Sequence, residues 1–169
     1  MGTEIERKFL VTSDAWRAGA RPTAIRQGYL CAGPTHVVRV RTYGEKAFLT
    51  IKSGGVGMTR LEFEYEVPVA DATVLLDVLC HRPLIEKTRF AVDVDGVAWV
   101  VDVFFGDNDG LVLAEVELES EEQAVALPPW AGAEVTGDPR YFNAALSERP
   151  YSTWPPEDRA AAEGRRLSR

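Results

Sequence analysis

Cysteine and histidine are scarce: the 169-residue chain holds two of each. Cys31 and Cys80 stand in different segments without a CxxC spacing, which argues against a disulfide framework and a structural zinc site. His36 and His81 lie far in sequence from any candidate nucleophile, so histidine-based catalysis is not expected and both read as structural or exposed. Familiar catalytic motifs are missing as well. Ser53-Gly54-Gly55-Val56-Gly57 lacks the GK[ST] of a phosphate loop and reads as a hairpin, and neither GxSxG nor HExxH occurs. No apolar run reaches the roughly 18 residues of a membrane span. The opening MGTEIERKFLV is charged from Glu4 onward and has no apolar stretch of a secretory signal. With 46% hydrophobic residues the chain has material for a core. A globular protein of the reducing cytoplasm, with no membrane partner, is the expectation.

Charge is what the chain has in quantity, and it is unevenly placed. The net of −7 disfavours a nucleic-acid partner. Residues 1–60 nonetheless carry a local net of +6, residues 61–138 carry −15 and residues 139–169 carry +2. A basic first third joined to an acidic middle can build one site in which cations face carboxylates.

Period-two alternation recurs between turn residues, from about Thr3 to Val11, Ala24 to Cys31, His36 to Thr42, Ala47 to Lys52, Thr59 to Val67, Ile85 to Val94, Ala98 to Phe105 and Val112 to Glu119. Among the first five, each adjacent pair is able to close as a hairpin. One helix interrupts the series over 70–81, with Val74, Leu75, Val78 and Leu79 as its apolar stripe and Pro83 as its stop. After about Glu121 the pattern is helical and irregular, and beyond Pro150 it reads as a loop with a short helix. The spacing predicts a mainly β, α+β protein: an eight-stranded antiparallel barrel or strongly curved sheet flanked by helices.

An ordinary sheet buries one face and solvates the other, which would account for charge on any single strand. Here the charge recurs strand after strand at i, i+2 spacing. Turned inward in a closed sheet, Lys8, Arg39, Arg41, Lys52, Lys87 and Arg89 would share a lumen with Glu4, Glu6, Glu62, Glu64, Asp102, Glu115 and Glu117. Arginine offers bidentate contacts to phosphate and lysine a point charge. Carboxylates at Glu4, Glu6, Glu115 and Glu117 suit Mg²⁺ or Mn²⁺, hard ions that bridge phosphate oxygens. Phosphoryl transfer needs these parts: positioning, charge neutralisation and an oriented nucleophile.

The residues also carry a resemblance. Glu4-Ile5-Glu6-Arg7-Lys8 is similar to the ExExK signature of the CYTH superfamily, the triphosphate tunnel metalloenzymes. The rest follows in that family's order: Gln27-Gly28-Tyr29-Leu30, Arg39-Val40-Arg41, Thr50-Ile51-Lys52, Glu62-Phe63-Glu64, Glu86-Lys87-Thr88-Arg89, Asp102, Glu115-Val116-Glu117, Val135-Thr136 and Arg140-Tyr141-Phe142-Asn143. The resemblance implies an eight-stranded antiparallel β-barrel tunnel over residues 1–147, with a charged lumen, and a tail of loop and short helix over 148–169. It implies Glu4, Glu6, Glu115 and Glu117 as ligands of Mg²⁺ or Mn²⁺. Lys8, Arg39, Arg41, Lys52, Lys87 and Arg89 would grip phosphates, Tyr29 would line the tunnel, and Glu62, Glu64 and Asp102 would help hold a second metal or the attacking water.

The activity implied first is metal-dependent hydrolysis of inorganic tripolyphosphate or another triphosphate-containing small molecule. A class IV adenylate cyclase, making cyclic AMP and pyrophosphate from ATP, is the alternative that ExExK alone does not separate. A thiamine triphosphatase would need an aromatic platform, whereas Trp16, Trp99, Trp130 and Trp154 each read first as packing residues. A non-catalytic polyphosphate- or nucleotide-binding module needs the cations and can lose the carboxylates, all of which are present. Whether the barrel forms a homodimer is left open.

Overall fold

The alternating segments form nine strands in the computed structural model, which describes residues 5–53 and 61–163. They are β1 (Glu6–Val11), β2 (Arg21–Ala32), β3 (His36–Tyr43), β4 (Lys46–Ser53), β5 (Glu62–Glu66), β6 (Ile85–Val94), β7 (Val97–Phe104), β8 (Val112–Glu117) and β9 (Ala131–Glu134). All their ladders are antiparallel. The order is β5-β4-β3-β2-β6-β7-β8-β1-β9, with β5 and β9 at the edges. Eight strands answer to the eight periodic segments. The ninth, Ala131-Gly132-Ala133-Glu134, is too short and too rich in small residues to alternate visibly.

Hairpins close where the link is a short turn, as in β2–β3, β3–β4, β6–β7 and β7–β8, and β4 also pairs with β5. The expectation that adjacent pairs among the first five segments close is corrected at the first of them, and the chain crosses to a distant strand a second time after β5. β1 pairs with β8 and β9 rather than β2, and β6 pairs with β2 rather than β5. Both links are longer excursions, over residues 12–20 and 67–84, which let the chain cross to a distant strand. The hairpin expected at Ser53–Gly57 falls largely on residues 54–60, outside the described residues.

The sheet is curled. Tyr29 on β2 feels the charge of Lys8 on β1, although β6, β7 and β8 intervene in the sheet order. Four strand steps in a flat sheet would place them roughly 19 Å apart. Residues opposite each other in an antiparallel ladder share a face, so the register defines the concave one. Glu6↔Glu117, Lys8↔Glu115, Arg89↔Asp102, Tyr29↔Arg39, Arg39↔Thr50, Thr50↔Glu64 and Lys52↔Glu62 all lie on it.

Apolar residues of opposite parity pack outside. Phe9, Val11, Val92, Trp99, Val101, Ala114 and Val116 form one outer cluster with Trp16 and Trp130. Val40 and Ala47 form another beneath helix α1 (Val69–Val74), which continues through a wider π turn at Leu75–Leu79. The helix buries Ala72, Leu76 and Cys80, not the expected stripe: Val74, Val78 and Leu79 are 58%, 70% and 60% exposed and Leu75 packs only in part. The buried residues keep i, i+4 spacing, but their face is two positions out of step with the apolar stripe. Gly28 permits the close seating, because a Cβ there would lie 2.8 Å from Cys80 Cβ and 2.7 Å from Leu84 Cδ2.

At one end the concave face changes character. Leu10, Ile85, Phe104 and Leu113 continue the parity of Lys8, Lys87, Asp102 and Glu115, but they are apolar and buried. The C-terminal segment fills this end with Tyr141, Leu146 of helix α2 (Asn143–Glu148), Tyr151, Trp154 and Ala162 of helix α3 (Pro156–Glu163). The indole of Trp154 meets Tyr141 and Tyr151 edge-on at 5.2 and 5.1 Å between centroids. Buried Asn108 receives the Tyr151 N–H at 2.8 Å. Residues 141–162, whose part beyond Pro150 read as a loop with a short helix, form a plug packed against the sheet. Trp154→Ala is expected to cost about 3–5 kcal/mol in urea unfolding; a loss under about 1 kcal/mol would mean the plug contributes no core.

Candidate active site

Beyond the plug, the concave face holds two groups of paired charges. In the first, Lys8 Nζ lies 3.0 Å from Glu115 Oε1 and 3.9 Å from Glu6 Oε1. Glu115 Oε2 accepts from Arg89 Nη2 at 2.9 Å. Arg89 grips Asp102 through Nε and Nη2, both at 2.8 Å, and Lys87 Nζ donates to Asp102 Oδ2 at 2.6 Å. Lys8, Lys87, Asp102 and Glu115 are all buried. Buried ions are tolerated only with partners, and alternation of sign from Lys8 through Glu115, Arg89 and Asp102 to Lys87 supplies them.

In the second group, Glu64 accepts from Arg39 Nη2 at 3.5 Å, from Arg41 Nη2 at 3.2 Å and from the buried Thr50 Oγ1 at 2.8 Å. Arg39 Nη2 also donates to Thr50 Oγ1 at 3.2 Å. Lys52 Nζ lies 2.9 Å from Glu62 Oε2. Tyr29 is buried on the same face and accepts from Gln27 Nε2 at 3.3 Å.

Burial and partners pull the ionisations in different directions. Burial pushes the Tyr29 hydroxyl up to about 12, so it stays protonated at neutral pH. Burial presses Lys8 down, but Glu115 and Glu6 outweigh it and the net shift is upward. For Lys87 burial wins against Asp102, and its pKa is lowered. Burial alone would raise Asp102; Lys87 and Arg89 reverse this and hold it well below the ordinary carboxylate range. Arg41 is lowered by burial and by the neighbouring Arg39 charge.

Two donors remain unspent. Arg39 Nε and Arg41 Nε are buried and make no hydrogen bond among the described residues. A buried guanidinium N–H without an acceptor is costly, and an anion lying along the concave face would satisfy both.

Of the proposed metal ligands, Glu6 and Glu117 are direct register partners across β1 and β8, with Glu115 two residues along. Glu4 lies outside the described residues. Among the described residues no three or more His, Cys, Asp or Glu side chains gather into a metal-holding group. The fit is therefore to a hard ion held by one or two carboxylates and completed by phosphate oxygens and water, a usual arrangement for Mg²⁺.

The other expected residues, Lys8, Tyr29, Arg39, Arg41, Lys52, Glu62, Glu64, Lys87, Arg89, Asp102, Glu115 and Glu117, share this face. Gln27 and Thr50 belong with them and were visible only as motif neighbours, two residues from Tyr29 and Lys52. Asn143 was not legible as a site residue, yet its Oδ1 accepts from Lys87 Nζ at 3.2 Å. Both histidines are exposed, as expected, although His36 Nε2 lies 3.6 Å from Cys31 Sγ. The four tryptophans are buried in the two apolar clusters flanking the site. No helix among the described residues is long and apolar enough to cross a membrane.

Asp102→Asn leaves Lys87 and Arg89 short of a buried partner and should cost about 3 kcal/mol at neutral pH. Because the folded pKa of Asp102 is depressed, its ion pairs stabilise the fold fully above the ordinary value of 3.8 and are lost as pH falls below it. The wild type should therefore lose stability more steeply than Asp102→Asn below about pH 4 in denaturant titrations. Parallel acid limbs would remove Asp102 as the keystone of this cluster.

Comparison with known proteins gives a concordant result. The CYTH domain family profile matches residues 2–151. An inorganic triphosphatase of Acetivibrio thermocellus is 46% identical over 154 residues, covering 91% of this chain and 99% of the relative. An inorganic triphosphatase of Nitrosomonas europaea is 44% identical over 151 residues, covering 86% and 97%. A crystal structure of an inorganic triphosphatase superposes with a TM-score of 0.65 at 39% identity, over 87% of this chain and 95% of that one.

Proposed function

The chain belongs to the CYTH domain family, and from that premise we propose that it hydrolyses inorganic tripolyphosphate in the cytoplasm with Mg²⁺ or Mn²⁺. The observation that carries this reading is the pair of buried, unpartnered Nε–H groups of Arg39 and Arg41 on a face that already gathers Lys8, Lys52, Lys87 and Arg89. A linear polyanion satisfies several of these donors at once, as a lone carboxylate cannot. The relatives named inorganic triphosphatase support the same substrate.

In this reading the arginines and lysines bind the phosphate chain and stabilise charge that develops on the transferred group. Asp102 anchors Lys87 and Arg89, and Glu115 fixes Lys8 against Arg89. Glu62 and Glu64, on the edge strand β5, orient the attacking water and take up its proton. Glu6 and Glu117 would hold the divalent ion directly, with Glu4 and Glu115 reaching it through water; when bound, the ion neutralises phosphate oxygens and makes water a better nucleophile. A thiamine platform finds no support in the tryptophans, all buried in packing clusters. Free thiols at Cys31 and Cys80 accord with a reducing compartment.

Incubation with tripolyphosphate and Mg²⁺ or Mn²⁺ should release orthophosphate and pyrophosphate. Arg41→Ala should lower kcat/KM by about 10²-fold. Formation of cyclic AMP and pyrophosphate from ATP, with tripolyphosphate left intact, would turn the assignment to a cyclase. Glu117→Ala should raise the metal concentration needed for half-maximal rate; an unchanged metal titration would remove Glu117 from the ligand set.

A further inference from the structure

We infer that Asn143 is a positioning residue for Lys87, and that the Tyr141-Phe142-Asn143 segment of the plug aims both buried lysines at the substrate. This rests on the triphosphatase reading. Lys87 Nζ is pulled by two elements: Asp102 Oδ2 on the sheet at 2.6 Å and Asn143 Oδ1 on the plug at 3.2 Å. Lys8 Nζ has the same kind of double attachment. It lies 3.0 Å from Glu115 on the sheet, 3.5 Å from the Tyr141 carbonyl oxygen on the plug and 5.8 Å from the centroid of the Phe142 ring.

An ammonium has three N–H donors and no acceptor. With Asp102 and Asn143 each taking one from Lys87, the third is directed by the other two. Without Asn143, a single short ion pair would let Nζ rotate about Asp102, and the free donors would have no set direction. The acceptor is also neutral, so it orients the cation without adding a negative charge that would repel a phosphate.

The Asn143 side chain is free for this task. It opens helix α2, yet no side chain caps that helix. Tyr141, two residues before it, is buried against Trp154 at 5.2 Å between centroids. Packing of this kind holds a supporting residue to within fractions of an ångström. The C-terminal plug therefore has two connected effects: it closes the apolar end of the concave face and fixes the direction of the cations beside it.

A double-mutant cycle separates this role from a purely structural one. Asn143→Leu, Lys87→Met and the double variant are compared in tripolyphosphate hydrolysis and in calorimetric binding of tripolyphosphate. Asn143→Leu should lower kcat about tenfold with KM within about threefold, since the other cations keep ground-state binding. In the Lys87→Met background the same change should cost less than about twofold, because its target is gone. Asn143→Asp, which keeps the acceptor oxygen, should recover kcat while raising KM. A full-sized loss that persists without Lys87, or no loss in the wild-type background, overturns the proposal. If Asn143→Leu does not fold, Asn143→Ala carries the same comparison. A wild type that binds tripolyphosphate without turning it over defeats the hydrolase reading alone; the positioning role is then read from the Lys87 Nζ–phosphate contact in tripolyphosphate-bound crystals of wild type and Asn143→Leu, and an unchanged contact overturns it.

Discussion

Everything in this structure depends on keeping opposite charges together out of water. Lys8, Lys87, Asp102 and Glu115 are buried on the concave face of the sheet. None would remain ionised there alone, because removing a charge from water costs more than any single contact returns. The alternation from Lys8 to Glu115, Arg89, Asp102 and Lys87 resolves this by giving each ion a partner of opposite sign at 3.0 Å or less. The six cations of the face are matched by as many carboxylates, Glu6, Glu62, Glu64, Asp102, Glu115 and Glu117. Such a face is the complement of a polyanion that arrives with a divalent ion, the cations meeting phosphate and the carboxylates the metal.

The uneven charge along the sequence follows from this arrangement. Lys8, Arg39, Arg41 and Lys52 come from the basic first third, while Glu62, Glu64, Asp102 and Glu115 come from the acidic middle. The antiparallel register places Lys8 opposite Glu115 and Lys52 opposite Glu62, which is how segments of opposite charge come to share one surface. The remaining acidic surplus, at Asp93, Asp95, Asp107, Asp109, Glu121 and Glu122, is exposed in turns and outer positions. It accounts for the negative total without bearing on the ligand.

The strands and most of the site were legible in the sequence because both follow a period of two. Charge at Arg39 and Arg41, or at Lys87 and Arg89, marks one face, and valine or phenylalanine between them marks the other. What escaped has physical causes. Strand β9 is four small or polar residues held by pairing with β1. The buried helical face runs through Ala72 and Leu76, where Val74 and Val78 were expected, because a small alanine packs closely against the sheet without marking an apolar stripe. Asn143 reaches Lys87 across 56 positions of sequence, and nothing local distinguishes it from a helix-opening asparagine. The plug was ambiguous because Tyr151 and Trp154 sit among polar and proline residues; only their shared burial with Leu10 and Phe104 assigns them to the core.

The central claim is that the curled face receives a triphosphate through these cations. A crystal structure with tripolyphosphate and Mn²⁺ is its most direct test. Phosphate oxygens within hydrogen-bond distance of Arg39 Nε, Arg41 Nε and Lys87 Nζ, with the metal beside Glu6 and Glu117, are the predicted result. Phosphate bound on the outer face, with those three donors still unsatisfied by it, would contradict the account.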